Sequence, residues 1–134
     1  MDMKLEVVPV PVADVDRAIA FYVEQVGFHL DHDVRPSDTM RVVQLTPPGS
    51  ACSIVMGTGM GDITSMPPGS IKGLHLVVGD IQQARAALLA RGVAMGEIND
   101  DGGGVKHTGF SDPDGNSWLL QEMAWRSAEF TTGA

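Results

Sequence analysis

Alternating apolar positions divide the chain into two halves, and each half begins with a short strand. The two strand segments are residues 6–12 and 73–78. Their apolar side chains recur at every second position, at Val8, Val10, Val12, Leu74, Leu76 and Val78. A period of two is typical of a strand that buries one face and exposes the other. We therefore predict a half-buried strand at the start of each half.

A helix is predicted after each of these strands. Asp14 and Asp80 occupy the N-cap position, where a short carboxylate accepts hydrogen bonds from the unpaired amides of the first helical turn. After them the apolar residues recur at intervals of three and four, at Val15, Ala18, Ile19, Tyr22 and Val26 and at Ile81, Ala84 and Leu88. This spacing gives each helix one apolar stripe that can pack on the preceding strand. Gly92 is predicted to end the second helix.

Three shorter strand-like segments follow each helix, separated by turn-forming residues. They lie at residues 28–34, 41–46, 51–56, 93–98, 106–111 and 117–123, with a flexible connection at 100–104. Each half is therefore a βαβββ unit. We predict a first module at residues 1–56, a linker rich in Gly, Met and Pro at 57–70, a second module at 71–124 and a tail at 125–134.

The two halves match each other at a single offset of 66 residues. This offset places residues 12–18 over 78–84, and it also places the turn at 47–50 over the turn at 113–116. Two separate matches at one offset indicate an internal repeat. The predicted fold class is α+β, with two βαβββ modules in tandem.

Composition and charge narrow the classes of partner. With 134 residues, 43% of them hydrophobic and 19% charged, the chain suits one domain or two small half-domains that share a core. The net charge of −8, without a cluster of Lys or Arg, argues against nucleic acid, because nucleic-acid binding depends on cationic contacts with phosphate. The single cysteine, Cys52, excludes an internal disulfide.

The chain also lacks the sequence signals of a membrane or secreted protein. No apolar run approaches the roughly 20 residues that a membrane-spanning helix needs, and the N-terminal residues lack the apolar core of a signal peptide. We expect a soluble cytoplasmic protein with no membrane partner.

Two motifs point to a family. Residues 12–22, V-A-D-V-D-R-A-I-A-F-Y, are followed by Gly27 and Phe28, and residues 110–116 read F-S-D-P-D-G-N. Together they resemble the opening and the closing turn of the vicinal oxygen chelate superfamily, the glyoxalase, bleomycin resistance protein and extradiol dioxygenase group. The resemblance spans residues 5–123. It implies a curved mixed sheet around a cavity, and a homodimer in which two chains share that cavity.

The resemblance also implies where a metal would be held. Metal-dependent relatives carry His, Gln or Glu on the first and last strand of each module, and these positions fall on Val7, Ser53, Gly73 and Leu119. None of the four is a usual ligand of zinc, iron, manganese or nickel. We therefore expect no metal in the usual place and no other cofactor. The alternative is a divalent metal in a site built from other residues.

Strand parity selects the candidate site residues. Residues two positions from a ligand position face the same side of a strand, which selects His75 and Gln121. A neutral imidazole at His75 could act as a general base, as a hydrogen-bonding group or as a metal ligand, so His75 is the candidate catalytic residue. His75, Gln121, His107 and Gln44 are the candidate substrate-binding residues. The facing of His107 and Gln44 is left open at this point.

Parity separates other polar residues from that site. His29 and His32 are three apart in an extended segment, so we expect them on opposite faces, exposed and unable to chelate together. Glu122 has the opposite parity to Leu119 and is predicted to face away from the cavity unless a bulge intervenes. Trp118 is predicted to pack toward a helix.

Three classes of function fit these patterns. The first is a binding protein that holds a small organic molecule such as an antibiotic in a metal-free cavity, possibly sequestering it; the acidic balance favours a cationic ligand. The second is a lyase, an isomerase or a dioxygenase-type enzyme that uses His75 as a base, or His75 and Gln121 in a relocated metal site. The third is a degenerate module that serves only as a scaffold. A fold by itself does not decide among them.

Overall fold

A computed structural model describes residues 1–130, and the chain forms two compact units. The first unit consists of residues 1–71 together with 112–116, and the second consists of residues 72–111 together with 117–130. The turn at 112–116, which the sequence places within the second module, thus makes its contacts in the first unit. Residues 131–134 of the predicted tail lie outside the described residues.

The first unit is a βαβββ unit with a four-stranded sheet in the order β1-β4-β3-β2. β1 is parallel to β4, and the other neighbours are antiparallel. Helix α1 continues directly as a π-helical segment, and a one-turn helix, α2, lies within the predicted linker. The elements are β1 (Val7–Pro9), α1 (Val15–Ile19), the π-helical segment (Ala20–Val26), β2 (His29–Val34), β3 (Arg41–Thr46), β4 (Ser53–Thr58) and α2 (Asp62–Ser65).

The second unit has the same strand order, β5-β8-β7-β6, with β5 parallel to β8. A 3₁₀ helix at Ala124–Glu129 follows its last strand. The elements are β5 (Leu74–Val77), α3 (Ile81–Ala90), β6 (Asn99–Gly102), β7 (Val105–Ser111) and β8 (Ser117–Met123). Two four-stranded mixed sheets with a few helices confirm the predicted α+β fold class.

Both predicted N-caps are confirmed. The Asp14 carboxylate accepts a hydrogen bond from the backbone N–H of Arg17 at 3.1 Å, and the Asp80 carboxylate accepts one from the N–H of Gln83 at 3.1 Å. Each bond satisfies an amide that the helix itself leaves unpaired. The first helical stretch ends at Gly27, whose φ of 96° lies in the left-handed region that glycine tolerates best.

One face of the first sheet is buried against helix α1. Arg41 on β3 donates to Asp16 of α1 at 2.8 Å, which identifies the face that carries Arg41 as the one toward the helix. The same face holds the buried apolar residues Val43, Leu45, Ile54 and Met56. Full burial of such a side chain stabilises the fold by roughly 1.5–3 kcal/mol. We call the opposite face of each sheet its helix-distal face.

The second sheet is oriented in the same way toward helix α3. Glu122 on β8 accepts a hydrogen bond from the N–H of Ile81 at the start of α3, at 2.9 Å. The prediction that Glu122 faces away from the site is therefore confirmed. Trp118 and Leu120 share its parity and are buried, and the Trp118 ring stacks with Phe110 at a centroid distance of 6.1 Å. These residues form the helix-side core of the second unit.

The turn at 112–116 is fastened by a buried carboxylate. Asp112 accepts from the Tyr22 hydroxyl at 2.7 Å, from the Asn116 side-chain amide at 2.8 Å and from the backbone N–H groups of Asp114 and Asn116 at 2.9 Å. The Asn116 amide also donates to the carbonyl of Pro11 at 2.8 Å. Burial strengthens these bonds, and it makes each of them costly to leave unmade.

The structure corrects the sequence prediction for His29 and His32. The β2–β3 register shifts between Leu30 and His32, so that His29 pairs with Thr46 while His32 pairs with Gln44. Because Thr46 and Gln44 are two residues apart on β3, both histidines belong to the same face. The prediction of opposite faces was wrong, because a bulge inserts an extra residue and reverses strand parity beyond it.

Two predicted boundaries also differ from the structure. Residues 93–98 form no strand; the strand lies instead at β6, where the sequence suggests a flexible connection. β6 is an exposed edge strand of polar residues, so its pairing with β7 gives no hydrophobic periodicity to detect. The predicted strand at 6–12 is shortened to β1, where prolines at positions 9 and 11 remove two amide donors.

The offset of 66 residues holds for only part of the fold. It relates the N-caps Asp14 and Asp80, and it relates Val55 to Gln121 on the last strands. Val55, however, pairs with Pro9 and with Gln44, whereas Gln121 pairs with Val77 and with His107. The corresponding first-strand positions therefore differ by 68 residues, and those of the third strand differ by 63. Loops of unequal length absorb the differences.

Candidate functional site

Three of the four candidate residues lie on one face of the second sheet. His75 on β5 pairs with Leu119 on β8, and His107 on β7 pairs with Gln121 on β8. Because Leu119 and Gln121 are two residues apart, all of these side chains belong to the helix-distal face. Gln44, the fourth candidate, lies on the helix-distal face of the first sheet.

The hydrogen bond of His75 defines its chemistry. Its Nδ1 lies 2.6 Å from the carbonyl oxygen of Gly73. A carbonyl oxygen can only accept, so Nδ1 carries the hydrogen, and in the neutral ring Nε2 carries the lone pair. His75 is exposed. Its Nε2 can therefore accept a hydrogen bond or a proton from a ligand on this face.

The sheet register corrects the assignment of the first-strand position in the second half. In the first sheet Val7 pairs with Ser53. In the second sheet the residue that pairs with Leu119 is His75 rather than Gly73. Gly73 precedes the strand and has a φ of 76°, a backbone conformation that residues with side chains rarely adopt. Counting back from the N-cap missed this, because the loop before α3 is two residues shorter than the loop before α1.

With this correction, the positions that hold a metal in metal-dependent relatives are Val7, Ser53, His75 and Leu119. Only the imidazole is a usual ligand, and one ligand does not make the three- or four-ligand shell of a catalytic metal. Within residues 1–130, no group of three or more His, Cys, Asp or Glu side chains is arranged to hold a metal ion. The residues present do not fit the metal of the metal-dependent relatives.

A broad groove adjoins His75 in the second unit. Its volume is about 720 Å³, which lies in the range of small-molecule sites. Two glycines contribute to it, and Gly73 has open space where a side chain would stand. The lining residues are Lys72, Gly73, Ala94, Gly109, Phe110, Ser111, Ser117, Trp118 and Leu119. Since Leu119 pairs with His75, His75 lies beside a lining residue of the groove, on the same face of the sheet.

A second histidine on this face is paired with a carboxylate. His107 Nδ1 lies 2.6 Å from Asp101 Oδ2. The β6–β7 register shifts between Asp100 and Gly102, and this bulge lets Asp101 reach the face of His107. Sequence reasoning missed Asp101, because residues 100–104 look like a flexible loop. The sequence offers one signal here, since two adjacent acidic residues, Asp100 and Asp101, precede a run of glycines. That signal does not indicate which residue the carboxylate contacts.

The helix-distal face of the first sheet carries a closed polar network. The Asp31 carboxylate accepts hydrogen bonds from the Thr46 hydroxyl, from His29 Nδ1 at 3.0 Å and from the Gln44 side-chain amide at 3.3 Å. The Thr46 and Ser53 hydroxyls lie 2.6 Å apart. The Thr46 hydroxyl, followed by His29, holds the pKa of Asp31 below its usual value, although partial burial opposes this effect. These hydrogen bonds all join residues of the network to one another.

The first unit also contains a small apolar cavity, at the end of β4 beside α2. Its volume is about 70 Å³, which leaves room for only a few water molecules. The lining is mostly apolar and includes Val10, Val55, Met56, Ile63 and Met66. This cavity is too small for a drug-sized molecule.

The strand order and the site geometry describe a protein of the vicinal oxygen chelate type, and comparison with known families agrees. The model of the Glyoxalase/Bleomycin resistance protein/Dioxygenase superfamily matches residues 4–120. The chain therefore belongs to this superfamily. Among residues 1–130, no helix is both long and apolar enough to span a membrane.

Solved structures from the same superfamily are similar over nearly the whole chain. TnmS3, an antibiotic binding protein from Streptomyces sp. CB03234, is 34% identical with a TM-score of 0.77, and the match covers 91% of this chain and 97% of that one. A glyoxalase/bleomycin resistance protein from the same organism is 38% identical with a TM-score of 0.73, covering 87% and 98%.

A superfamily member from Sphaerobacter thermophilus DSM 20745 is also similar. It is 31% identical with a TM-score of 0.78, and the match covers 90% of this chain and 98% of that one. A comparison with curated proteins finds no match. The solved structures thus establish the superfamily and include an antibiotic-binding member.

Proposed function

We propose that the protein binds a small organic molecule of antibiotic type on the helix-distal face of its second sheet, and that it sequesters this molecule without a metal or another cofactor. The body of the ligand occupies the groove floored by Gly73, Gly109 and Leu119. His75 and Gln121 supply hydrogen bonds at the border of the groove. The acidic surface does not set the charge of the ligand, since a net charge acts at long range and says little about one groove.

The observation that carries this proposal is the groove itself. Its volume of about 720 Å³ lies in the range of small-molecule sites, and most of its lining residues are apolar or glycine. The superfamily positions Val7, Ser53 and Leu119 supply no metal ligand. The likeness to TnmS3 over 91% of the chain supports antibiotics as the ligand class.

The second candidate function is an enzyme of the lyase, isomerase or dioxygenase type. The Nε2 lone pair of His75 favours this candidate, because a base must reach the proton it removes and His75 pairs with Leu119, which lines the groove. Turnover of a bound compound that is lost in His75→Gln, with binding retained, would replace sequestration by catalysis.

We further propose that the protein acts as a cytoplasmic homodimer. The Trp125 side chain, which is 66% exposed, supports a subunit contact, because tryptophan is enriched at protein interfaces. Sedimentation of wild type and of Trp125→Ser tests the assembly.

A thermal-shift screen tests the binding function. Ligands that bind the folded state raise the midpoint of unfolding, so wild-type protein is screened against antibiotic classes and divalent metals. We expect shifts with organic compounds and none with metals. A metal shift that disappears in His75→Ala would contradict the metal-free site and favour a relocated metal site.

Two matched variants locate the binding site. Ala94→Trp places an indole in the groove, whereas Ala51→Trp places the same side chain on an exposed turn of the first unit. We expect Ala94→Trp to weaken binding at least about tenfold, since it takes the volume that the ligand needs. Ala51→Trp should bind like wild type. Equal binding by the two variants would remove the groove from the proposal.

A further inference from the structure

His107 and Asp101 form an accessible pair on the helix-distal face of the second sheet. Their side chains are 34% and 40% exposed, and His107 Nδ1 lies 2.6 Å from the carboxylate. The carboxylate can only accept, so Nδ1 carries the hydrogen and Nε2 carries the lone pair of the neutral ring. His75 differs, because its Nδ1 donates to an uncharged carbonyl.

Asp101 is the charged residue that contacts His107. The residues that pair with His107 are Asn99 on β6 and Gln121 on β8, and neither can titrate. Lys106 precedes His107 on β7 and so belongs to the opposite face. A ligand at Nε2 therefore meets a ring whose other nitrogen donates to one carboxylate.

The surface around this pair suits a flat apolar body. On either side of His107 along β7 stand Val105, which pairs with Met123, and Gly109, which pairs with Leu119. All four are half-buried. Gly109 has no side chain to rise above the sheet, and Gly109 and Leu119 line the groove. An aromatic ring lying over Leu119 and Gly109 can direct a ring hydroxyl at His107.

We propose that the Asp101–His107 pair is a proton-accepting subsite that selects ligands with a weakly acidic hydroxyl, a phenol or an enol, on a flat apolar body. In the complex the O–H bond of the ligand breaks and an N–H bond forms at Nε2. The product is a phenolate beside an imidazolium whose other N–H donates to Asp101. No electrons are exchanged. This inference rests on the proposed function and names its ligand class.

Two small probes test the subsite. The binding of 4-nitrophenol is compared with that of 4-nitroanisole, its methyl ether, which has a similar shape and no acidic proton. We expect wild-type protein to bind the phenol about tenfold more tightly, as a charge-assisted hydrogen bond allows. Slightly below neutral pH, the phenolate absorption band of the probe should grow as protein is added.

Three variants assign the effect. Asp101→Asn keeps an acceptor beside Nδ1 and removes the charge, and His107→Gln removes the proton acceptor. Both should lose the preference for the phenol and the phenolate band while retaining the wild-type midpoint of unfolding within a few degrees. Asp100→Asn is the control, because Asp100 pairs with Lys106 on the opposite face and should behave as wild type. A pair that only holds the edge strand would move the midpoint and leave the band unchanged.

Each contrary result counts against the subsite in a distinct way. Equal affinity for the two probes, a band that survives both substitutions, or failure of 4-nitrophenol to bind would overturn the subsite. None of these results bears on the proposed binding function, which is tested separately by the antibiotic screen and by the Ala94→Trp comparison. The two proposals can therefore fall separately.

Discussion

The helix-distal faces of the two sheets both have an aspartate in a bulge of an edge strand, yet their surroundings differ. Asp31 in the first sheet accepts from Thr46, His29 and Gln44, so its oxygens are engaged within the unit. Asp101 in the second sheet accepts from His107 Nδ1, so the ring's Nε2 takes no part in this hydrogen bond. The first carboxylate closes a network, and the second prepares a histidine for a further partner.

The two helix-distal faces also differ in the space that they offer to a ligand. Ser53 and Val55 on the first sheet are only 4% and 9% exposed. The second sheet has Gly109 in place of a side chain and Gly73 at its edge, and there the groove opens. A ligand on the first face would have to break existing hydrogen bonds, which returns little net free energy. The same strand order thus supports one face suited to structure and another suited to binding.

The largest expected effect concerns the buried turn carboxylate of the first unit. Asp112→Ala removes an acceptor of the Tyr22 hydroxyl, the Asn116 side-chain amide and two backbone N–H groups, and we expect a loss of about 3 kcal/mol in the free energy of unfolding. Asp100→Ala, which removes one exposed bond to the N–H of Gly102, should cost less than about 1 kcal/mol. Urea denaturation measures both. Equal losses in the two variants would show that the buried Asp112 carboxylate stabilises the protein no more than the exposed Asp100 carboxylate does.

The next largest expected effect compares the loss of stability caused by one arginine substitution in each unit. Arg41 is 8% exposed and donates to Asp33 and Asp16, so Arg41→Met should destabilise the protein by about 2 kcal/mol. The Arg85 side chain is 23% exposed and donates to the carbonyl of Gly96, and Arg85→Met should cost less than about 1 kcal/mol. Midpoints of thermal unfolding give the comparison. A larger loss for Arg85→Met would reverse it.

Ligand affinity should separate the two faces by about tenfold. His75→Ala removes an acceptor that borders the groove, whereas Gln44→Ala removes an amide that already donates to Asp31 and Ser53. With a hit from the screen, isothermal titration should show about tenfold weaker binding for His75→Ala, equivalent to about 1.4 kcal/mol. Gln44→Ala should change affinity less than about threefold. A strong effect at Gln44 would move binding to the first sheet, as the sequence also allows.

Acid should lower the stability of the first unit, by less than the substitutions above. The hydrogen bond from Thr46 lowers the pKa of Asp31, and that from Arg41 lowers the pKa of Asp33. A lowered folded-state pKa gives stability that is present above the unfolded value near ~3.9 and is lost as the pH falls through the folded value. Partial exposure limits the contribution to less than about 1 kcal/mol.

Hydrogen exchange below about pH 4 tests this expectation, since amides of the first sheet should lose protection before those of the second. Thr46→Val removes the leading cause of the Asp31 shift and serves as the matched variant. It should flatten the dependence of stability on pH in that range. An unchanged pH profile in Thr46→Val would show that Asp31 does not contribute.

Several features of the fold could be predicted because they depend on near neighbours in the chain. The N-cap aspartates act on amides three residues away, and the period of two in the first strands depends on strand geometry alone. The facing of Glu122 followed from the same periodicity. The motifs at residues 12–22 and 110–116 were enough to indicate the superfamily, which the match over residues 4–120 establishes.

The candidate site was reached only in part. His75 was selected by parity, but the structure alone showed that it stands in the first-strand position opposite Leu119. The error came from counting back from the N-cap with the spacing of the first half. Asp101 was missed because its partner is on a neighbouring strand and its segment reads as a loop.

By itself the sequence determined the order of strands and helices, the helix starts and the identity of the closing turn, since each follows from residues close together along the chain. Tertiary structure decided which residues face each other. Two bulges, at Asp31 and Asp101, reverse strand parity, and loops of unequal length shift the register of whole strands. Strand pairing joins residues far apart in the chain, so a change of one residue in a loop moves every side chain beyond it to the other face.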